Sequence, residues 1–443
     1  MPFPCKTFLS AAILGCALLA QPVVADELSD TVENDYQQHL AGLFDYFHRN
    51  PELSGLEVKT AARMAQELRD AGFEVTEEVG GTGVVAMMEN GNGPLVMMRA
   101  DMDGLPVMEK SGLANASVVT QIDWEGNEVP VMHACGHDVH ITSLVGTARV
   151  MANSKDTWSG TLMLVVQPAE ERVSGANAMM KDGIWERFGQ PDYALGFHVA
   201  SGVPTGKLVA TLGSPMSGAD TVDIIVHGIG AHGASPHRGV DPVVLGSEIV
   251  MALQTIVSRT LAPREAGVVT VGSFHAGSKH NIISDRAHLQ LTVRNDNLET
   301  RKILLDSIER VAVNMGRVAG LPDDLLPEVI ISDEWVPPTV NNIELTRQLR
   351  SAWSDAFGEE VFFDAKRDGM GAEDFPFFTT DPYIPSTYFA VGGTPQADFD
   401  AEANGGPAVP SHHSPLFKIT PEDSVTLGVE ATVVALRDLL QAE

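Results

Sequence analysis

The sequence predicts an α/β catalytic domain with a largely parallel sheet, interrupted by a second, α+β domain. Two observations carry that prediction. Apolar strand-like runs alternate with helical periodicity at both ends of the chain, which is the signature of strands layered with helices. Between them the order changes to β-α-β-β-α-β, a self-contained split βαβ sandwich. The expected divisions are 1–25 as a signal peptide, 26–213 and 332–443 as the two parts of the catalytic domain, and 214–331 as the inserted domain. The 443 residues are enough for two or three domains with ample core.

The first residues read as an address. Lys6 gives a short positive start, Phe8 to Ala20 an apolar run too short to span a membrane, and Val23-Val24-Ala25 a small-residue cleavage site. The expected location is secreted or periplasmic, with a lipoprotein site at Cys16 ranked second. No later stretch reads as a transmembrane helix. Removal of the signal leaves Cys135 as the one cysteine, so no disulfide can form within the chain. The 59 acidic residues against 29 Lys plus Arg give a net charge of -30. That argues against nucleic acid or an anionic membrane as partner, because both need basic patches.

In chain order, residues 27–50 are expected to be helical, with Leu40, Leu43, Phe44 and Phe47 at helical spacing. Residues 57–71 follow as a second helix. Strands are expected over 73–78, 84–89, 94–100, 161–166 and 193–197, with a helix over 141–152. The inserted domain takes strands 221–226, 268–274, 287–294 and 328–331 and helices 241–259 and 298–318. Helix 342–357, strand 386–391, a loop over 393–411 and helix 421–440 complete the chain. Ligands of open α/β sheets bind at the carboxyl ends of strands. Asp101, Glu170, Glu171 and His198 all fall at such predicted ends.

Chemistry is most concentrated in His133-Ala134-Cys135-Gly136-His137-Asp138-Val139-His140. A thiol among imidazoles and carboxylates reads as a metal ligand, as a nucleophile activated by a neighbouring His, or as a buried free Cys of no special role. Adding Glu170, Glu171, His198 and His413 gives more ligands than one tetrahedral metal can take. Such a set suits two metals about 3.5–4 Å apart that share bridging ligands.

These residues lie in motifs that the chain shares with a known family. They are Arg99-Ala100-Asp101-Met102-Asp103-Gly104-Leu105-Pro106, His133 to Asp138, Gln167-Pro168-Ala169-Glu170-Glu171 and Gly196-Phe197-His198. Ala231-His232-Gly233-Ala234-Ser235-Pro236, Asn281-Ile282-Ile283, Ala372-Glu373-Asp374-Phe375 and His413-Ser414-Pro415 continue the series. In this the sequence resembles the dinuclear metallo-aminoacylase and carboxypeptidase family. Within it, the resemblance is to the branch of hippurate hydrolases, N-acyl-amino-acid amidohydrolases and auxin-conjugate hydrolases.

The resemblance implies a zinc-peptidase-like catalytic domain with an inserted lid that forms a homodimer. It implies Cys135, His137, Glu171, His198 and His413 as ligands of two divalent metal ions, of which Mn2+, Zn2+, Ni2+ and Co2+ all suit such a donor set. Glu170 becomes the general base for a metal-activated water, and His232 a catalytic group reaching the partner's site. Asn281 and Arg294 are candidates for holding the substrate carboxylate. Much of the wider family has His-x-Asp where this chain has Arg99-Ala100-Asp101, which leaves Asp101 and Asp103 as orienters of ligands or as structural groups. His133 and His140 are expected to support rather than ligate. Ser284 stands where a Pro is usual.

The expected activity is hydrolysis of the amide bond of N-acyl amino acids. The nearest alternative is a dipeptidase or carboxypeptidase using the same site. A protein that only binds metal or conjugates, and a cysteine hydrolase, are the other classes considered. Glu170 argues against the first of these, since a binding protein needs no general base.

Overall fold

The computed structural model describes residues 22–367 and 369–441. Residues 1–21 of the expected signal segment 1–25 therefore lie outside the described residues, and its last four fall within the first helix. Helices α1 (Pro22–Asp35) and α2 (Ala41–Arg49) run on through a π turn at Tyr36–Leu40, and α3 (Val58–Asp70) follows. Their buried stripe includes Leu40, Leu43, Phe44 and Phe47, the residues whose spacing predicted a helix. Strands β1 (Glu74–Val79), β2 (Gly83–Asn90) and β3 (Leu95–Asp101) come next, then α4 (His137–Asn153), β4 (Gly160–Gln167), β5 (Tyr193–Pro204) and β6 (Leu208–Val209).

The inserted domain is β7 (Gly218–His227), α5 (Pro242–Thr255), β8 (Gly267–Ala276), β9 (Arg286–Asn295), α6 (Leu298–Val318) and β10 (Glu328–Val336). Helix α7 (Ile343–Phe357), β11 (Ser386–Thr394) and α8 (Pro421–Leu439) return the chain to the first domain. The β-α-β-β-α-β order of the insertion is the expected one. Its four strands form an antiparallel sheet in the order β8-β9-β7-β10. Its own core includes Val222, Ile224, Ile249, Leu289 and Ile308, separate from the cores of the catalytic sheet.

The catalytic sheet has the order β1-β2-β4-β3-β5-β11-β6. Only the four central strands pair in parallel; β1, β2 and β6 are antiparallel to their neighbours. The sheet is thus less parallel than the sequence suggested: the short β1–β2 link can only return the chain beside itself in the opposite direction, and β6 turns back after β5 to pair antiparallel with β11. One face packs against α1 to α4, α7 and α8, and the other against a smaller cluster around Phe375 and Phe378.

Three further expectations change. Strand β5 does not stop at Phe197 but continues to Pro204, so His198 sits within the strand, opposite Ala390 of β11. The polar tail Ser332-Asp333-Glu334 hid the rest of β10, which runs five residues past the expected boundary at 331. The expected loop over 393–411 contains a helix at Gln396–Ala403, and none of its residues is buried, so it has no apolar periodicity to read.

One helix among the described residues, Pro242–Thr260, is long and apolar enough to cross a membrane by length and composition. It is α5 with its π-turn extension, and Leu245, Ile249, Leu253 and Ile256 bury one of its faces in the inserted domain.

Helix α4 starts at His137, four residues before the expected start, because Gly136 turns the chain at φ 87°. A Cβ there would lie 2.4 Å from Val199 Cγ1. Gly136→Ala is expected to cost about 1–2 kcal/mol for the left-handed backbone and about 1–3 kcal/mol for overpacking. Thermal unfolding of the variant with and without Val199→Ala checks this: the second change should recover the packing part and not the backbone part.

Candidate active site

Four pieces of chain converge at the carboxyl end of the sheet. Cys135 sits in the turn before α4, and His137 is the first residue of that helix. Glu170 and Glu171 follow β4 in a tight turn, in which Ala169 takes φ 48° and Val173 φ 48°. His198 comes from β5. His413 lies on the loop before α8 with φ 64°, and its backbone N–H donates to the Ala134 carbonyl at 2.8 Å.

Among the described residues, five triads of candidate ligand atoms each have their atoms within 4.8 Å of one another, and two of them contain the thiol, Cys135–His137–His198 and Cys135–Glu171–His413. Cys135 Sγ is 3.5 Å from His198 Nε2, and His413 Nε2 is 3.3 Å from Glu171 Oε2. Glu170 Oε2 lies 3.8 Å from His137 Nε2. His137 Nε2 and Glu171 Oε1 are buried without a hydrogen-bond partner. Buried polar atoms are nearly always paired, so two orphans aimed into one cluster of imidazole, thiol and carboxylate fit a metal centre.

The electrostatics agree. Burial pushes the Cys135 thiol well above the usual range, and Glu171, Glu170 and Asp101 push it further. A cysteine nucleophile needs the opposite environment; a thiolate here needs a cation beside it. Burial likewise raises the Glu170 carboxyl well above the usual range, with Glu373 and Glu171 adding to it. A carboxyl so placed holds a proton more readily than a free one, which suits a group that must take and return one.

The neighbouring carboxylates orient the ligands. Asp103 Oδ1 is 3.2 Å from His137 Nδ1, while its Oδ2 accepts from Ser54 Oγ at 2.6 Å and from the Glu171 backbone at 3.0 Å. Fixing one ring nitrogen of a His in this way frees the other to point at a metal. Asp101 accepts from Arg99 at 2.6 Å and stands 2.5 Å from His140 Nδ1. His140 Nε2 accepts the Val199 N–H at 2.8 Å, so both of its nitrogens are used next to His198. His133 is buried with neither ring nitrogen paired.

The lid residues stand apart. His232 is exposed, and its Nδ1 accepts from the Ala234 N–H at 3.0 Å, which places the proton on Nε2. Asn281 adjoins it, with the Gly233 N–H donating to its carbonyl at 2.9 Å and its Oδ1 buried and unpaired. Arg294, half-buried on β9, donates to Thr292 Oγ1 at 2.5 Å and to the Val293 carbonyl at 3.1 Å. None of the three is bonded to the Cys135 cluster within one chain.

Several supporting residues were not given a role by the sequence. Arg99, wholly buried, binds Glu373 at 2.7 Å besides Asp101. Tyr388 donates to Glu373 at 2.7 Å, and Gln167 to Asp374 at 2.6 Å. An arginine inside an apolar strand was the available signal. Glu57 is the least foreseeable. Its Oε1 accepts the Gly55 N–H at 2.6 Å and the Ala169 N–H at 2.8 Å, and its Oε2 accepts from Thr82 Oγ1 at 2.5 Å. It thereby pins the left-handed residue that precedes Glu170.

Burial, then Asp103, raises the Glu57 carboxyl from 4.5 to about 7. A raised folded value means that its contribution to stability is present below pH 4.5 and lost as pH rises through 7. About 3 kcal/mol is at stake over that interval. Glu57→Gln keeps the acceptor for both N–H groups, so it should retain most of kcat and remove this part of the pH dependence. Glu57→Ala should lower kcat up to about 10²-fold through misplacement of Glu170. Metal content, kcat and urea unfolding across pH 4–8 check both expectations.

Residues 97–404 match peptidase family M20/M25/M40. The hippurate hydrolase of Campylobacter jejuni is 36% identical over 345 residues, covering 78% of this chain and 86% of that protein. Thermostable carboxypeptidase 2 of Saccharolobus solfataricus is 35% identical over 349 residues, covering 78% and 83%. A crystal structure described as a dinuclear metal binding peptidase from the M20 family, from Bacillus subtilis, superposes with a TM-score of 0.74 at 24% identity, covering 92% of this chain and 99% of that one. This likeness is one of fold. With a motif-bearing region matched and a metal-fitting cluster at the strand ends, the chain belongs to peptidase family M20/M25/M40 and is a metal-dependent amidohydrolase or peptidase.

Proposed function

We propose that the protein hydrolyses the amide bond of N-acyl amino acids of the hippurate type, with two divalent metal ions held by Cys135, His137, Glu171, His198 and His413. The observation that carries this reading is the pair of ligand triads sharing Cys135, with Glu170 buried beside them. The name of the hippurate hydrolase relative supports the substrate class. The carboxypeptidase relative, at nearly the same identity, keeps peptides in the substrate screen.

When bound, the metal ions would supply Lewis acidity that polarises the scissile carbonyl and makes a water acidic enough to yield its proton to Glu170. Glu170 accepts the proton of that water and returns it to the leaving nitrogen. Asp103 holds the His137 ring, and Glu57 holds the turn that carries Glu170. His232 donates from Nε2 to the developing oxyanion of a partner subunit's site. Support for a homodimer comes from the lid, where Val244, Met251 and Val318 are 55%, 70% and 77% exposed on its helices. Contiguous exposed apolar surface on a lid is where a partner would be expected to dock.

Glu170→Gln is expected to retain both metals and lose about 10²–10⁴-fold or more in kcat on benzoylglycine. Glu171→Gln is expected to lose metal. Elemental analysis beside the assay separates the two, and equal metal loss in both variants would show that they do not divide the work in this way.

His232→Ala and Glu170→Gln homodimers should each be nearly inactive. Mixed dimers of the two should regain activity, because one of their sites has its own normal Glu170 and the partner's normal His232. Persistent inactivity, with mixed dimers verified by a tag, would place His232 outside the partner's site.

A further inference from the structure

Beside His198 a cavity of about 270 Å³ opens between the sheet and the hinge that leads into the lid. Its lining includes Val209, Pro215, Met216 and Phe389, with the small side chains of Ala200 and Ala390 among them. Pro215 and Met216 belong to the short strand Gly213–Met216, which pairs with Thr339–Asn341, so this wall is made where the chain enters and leaves the insertion.

Of the polar groups around the cavity, Tyr388 and Arg367 are already engaged, and Thr211 and Lys366 are exposed to solvent. The Tyr388 hydroxyl is bonded to Glu373, which leaves the ring face as its offering. Arg367 pairs with Asp296 at 2.9 Å, bonds Ser217 Oγ and donates to the Ser214 carbonyl at 3.2 Å. Lys366 sits on the exposed segment 364–367, where water screens its charge. What remains available is mostly apolar surface. The volume falls just below the roughly 300–1,000 Å³ of pockets that take a whole ligand, so the cavity suits one part of a substrate.

We propose that this cavity binds the acyl group of the substrate and selects apolar, ring-bearing acyl groups over acetyl, with Met216 as its specificity-determining residue. The inference rests on the acyl-amino-acid reading above. The two halves of such a substrate differ in charge: the amino-acid half carries a carboxylate and the acyl half does not. A cavity whose arginine is consumed by Asp296 has nothing buried to offer a carboxylate. It does offer apolar area next to a candidate metal ligand, where the acyl carbon must lie. Methionine is unbranched, flexible and apolar, so it adapts to a flat ring, and leucine of nearly the same volume can fill the same place.

The test compares wild type with Met216→Trp, which fills the cavity, and Met216→Leu, which keeps its size and apolar character. Substrates are benzoylglycine, acetylglycine and benzoylleucine; benzoate and acetate are titrated by calorimetry. Pocket contacts of one or a few carbons discriminate by about 10–200-fold, so wild type should prefer benzoylglycine to acetylglycine in kcat/KM by about tenfold or more. Met216→Trp should remove that preference by lowering the benzoyl substrates about tenfold, with acetylglycine within about twofold of wild type. Met216→Leu should behave as wild type, and benzoate should bind wild type and not Met216→Trp. Equal loss on all three substrates overturns the proposal, and so does an effect that follows the change from glycine to leucine. A wild type that cleaves none of the three overturns the acyl-amino-acid reading instead, while benzoate binding still decides whether the cavity takes an aromatic acid.

Discussion

The catalytic half of the molecule is organised around a cluster of buried carboxyl groups. Asp101, Asp103, Glu170, Glu373 and Asp374 are almost wholly inaccessible, and the thiol of Cys135 lies among them. Taking ionised groups out of water is costly unless each is paired and hydrogen-bonded. Arg99 offsets one side of the cluster, binding Asp101 and Glu373 from within the sheet. On the other side lie the unpaired atoms of His137 and Glu171. A metal-dependent hydrolase has cations to put there, and the surrounding architecture serves to keep those anions in place until it does.

Much of this was legible because it is periodic or local. Strand and helix alternation, the order of the inserted domain and the density of donors in His133–His140 are read within short windows of sequence. What escaped depends on contacts between distant residues. Glu57 meets Ala169 across 112 positions, and nothing in either segment's pattern announces it. The extension of β5 past His198 is set by its partner strand β11, almost two hundred residues later. The helix at Gln396–Ala403 has no buried face, so no pattern marks it. Local rules describe surfaces that a segment presents; they do not say which surface arrives opposite.

The hinge joins two cores that are otherwise separate. Arg367 from the catalytic domain holds Asp296 at the end of β9, and Ser217 donates to the same carboxylate at 2.7 Å. The insertion is therefore tied to the catalytic domain by charge-assisted bonds at its base, while the exposed His232 and the unpaired Asn281 Oδ1 lie further along the lid. Rigidity near the cavity and reach in the lid are compatible because they reside in different elements: the tie sits at the end of β9, and His232 lies in a separate two-stranded ribbon paired with Ile282.

His198 and His413 are mounted differently. His198 is held within β5, its strand paired with β11 and its Nδ1 2.6 Å from the Val199 carbonyl. His413 hangs from a loop, in a left-handed backbone conformation, with a side chain 56% exposed. With metal bound as proposed, an ion on the Cys135–His137–His198 side would be caged by regular structure, and one on the Cys135–Glu171–His413 side would have a door.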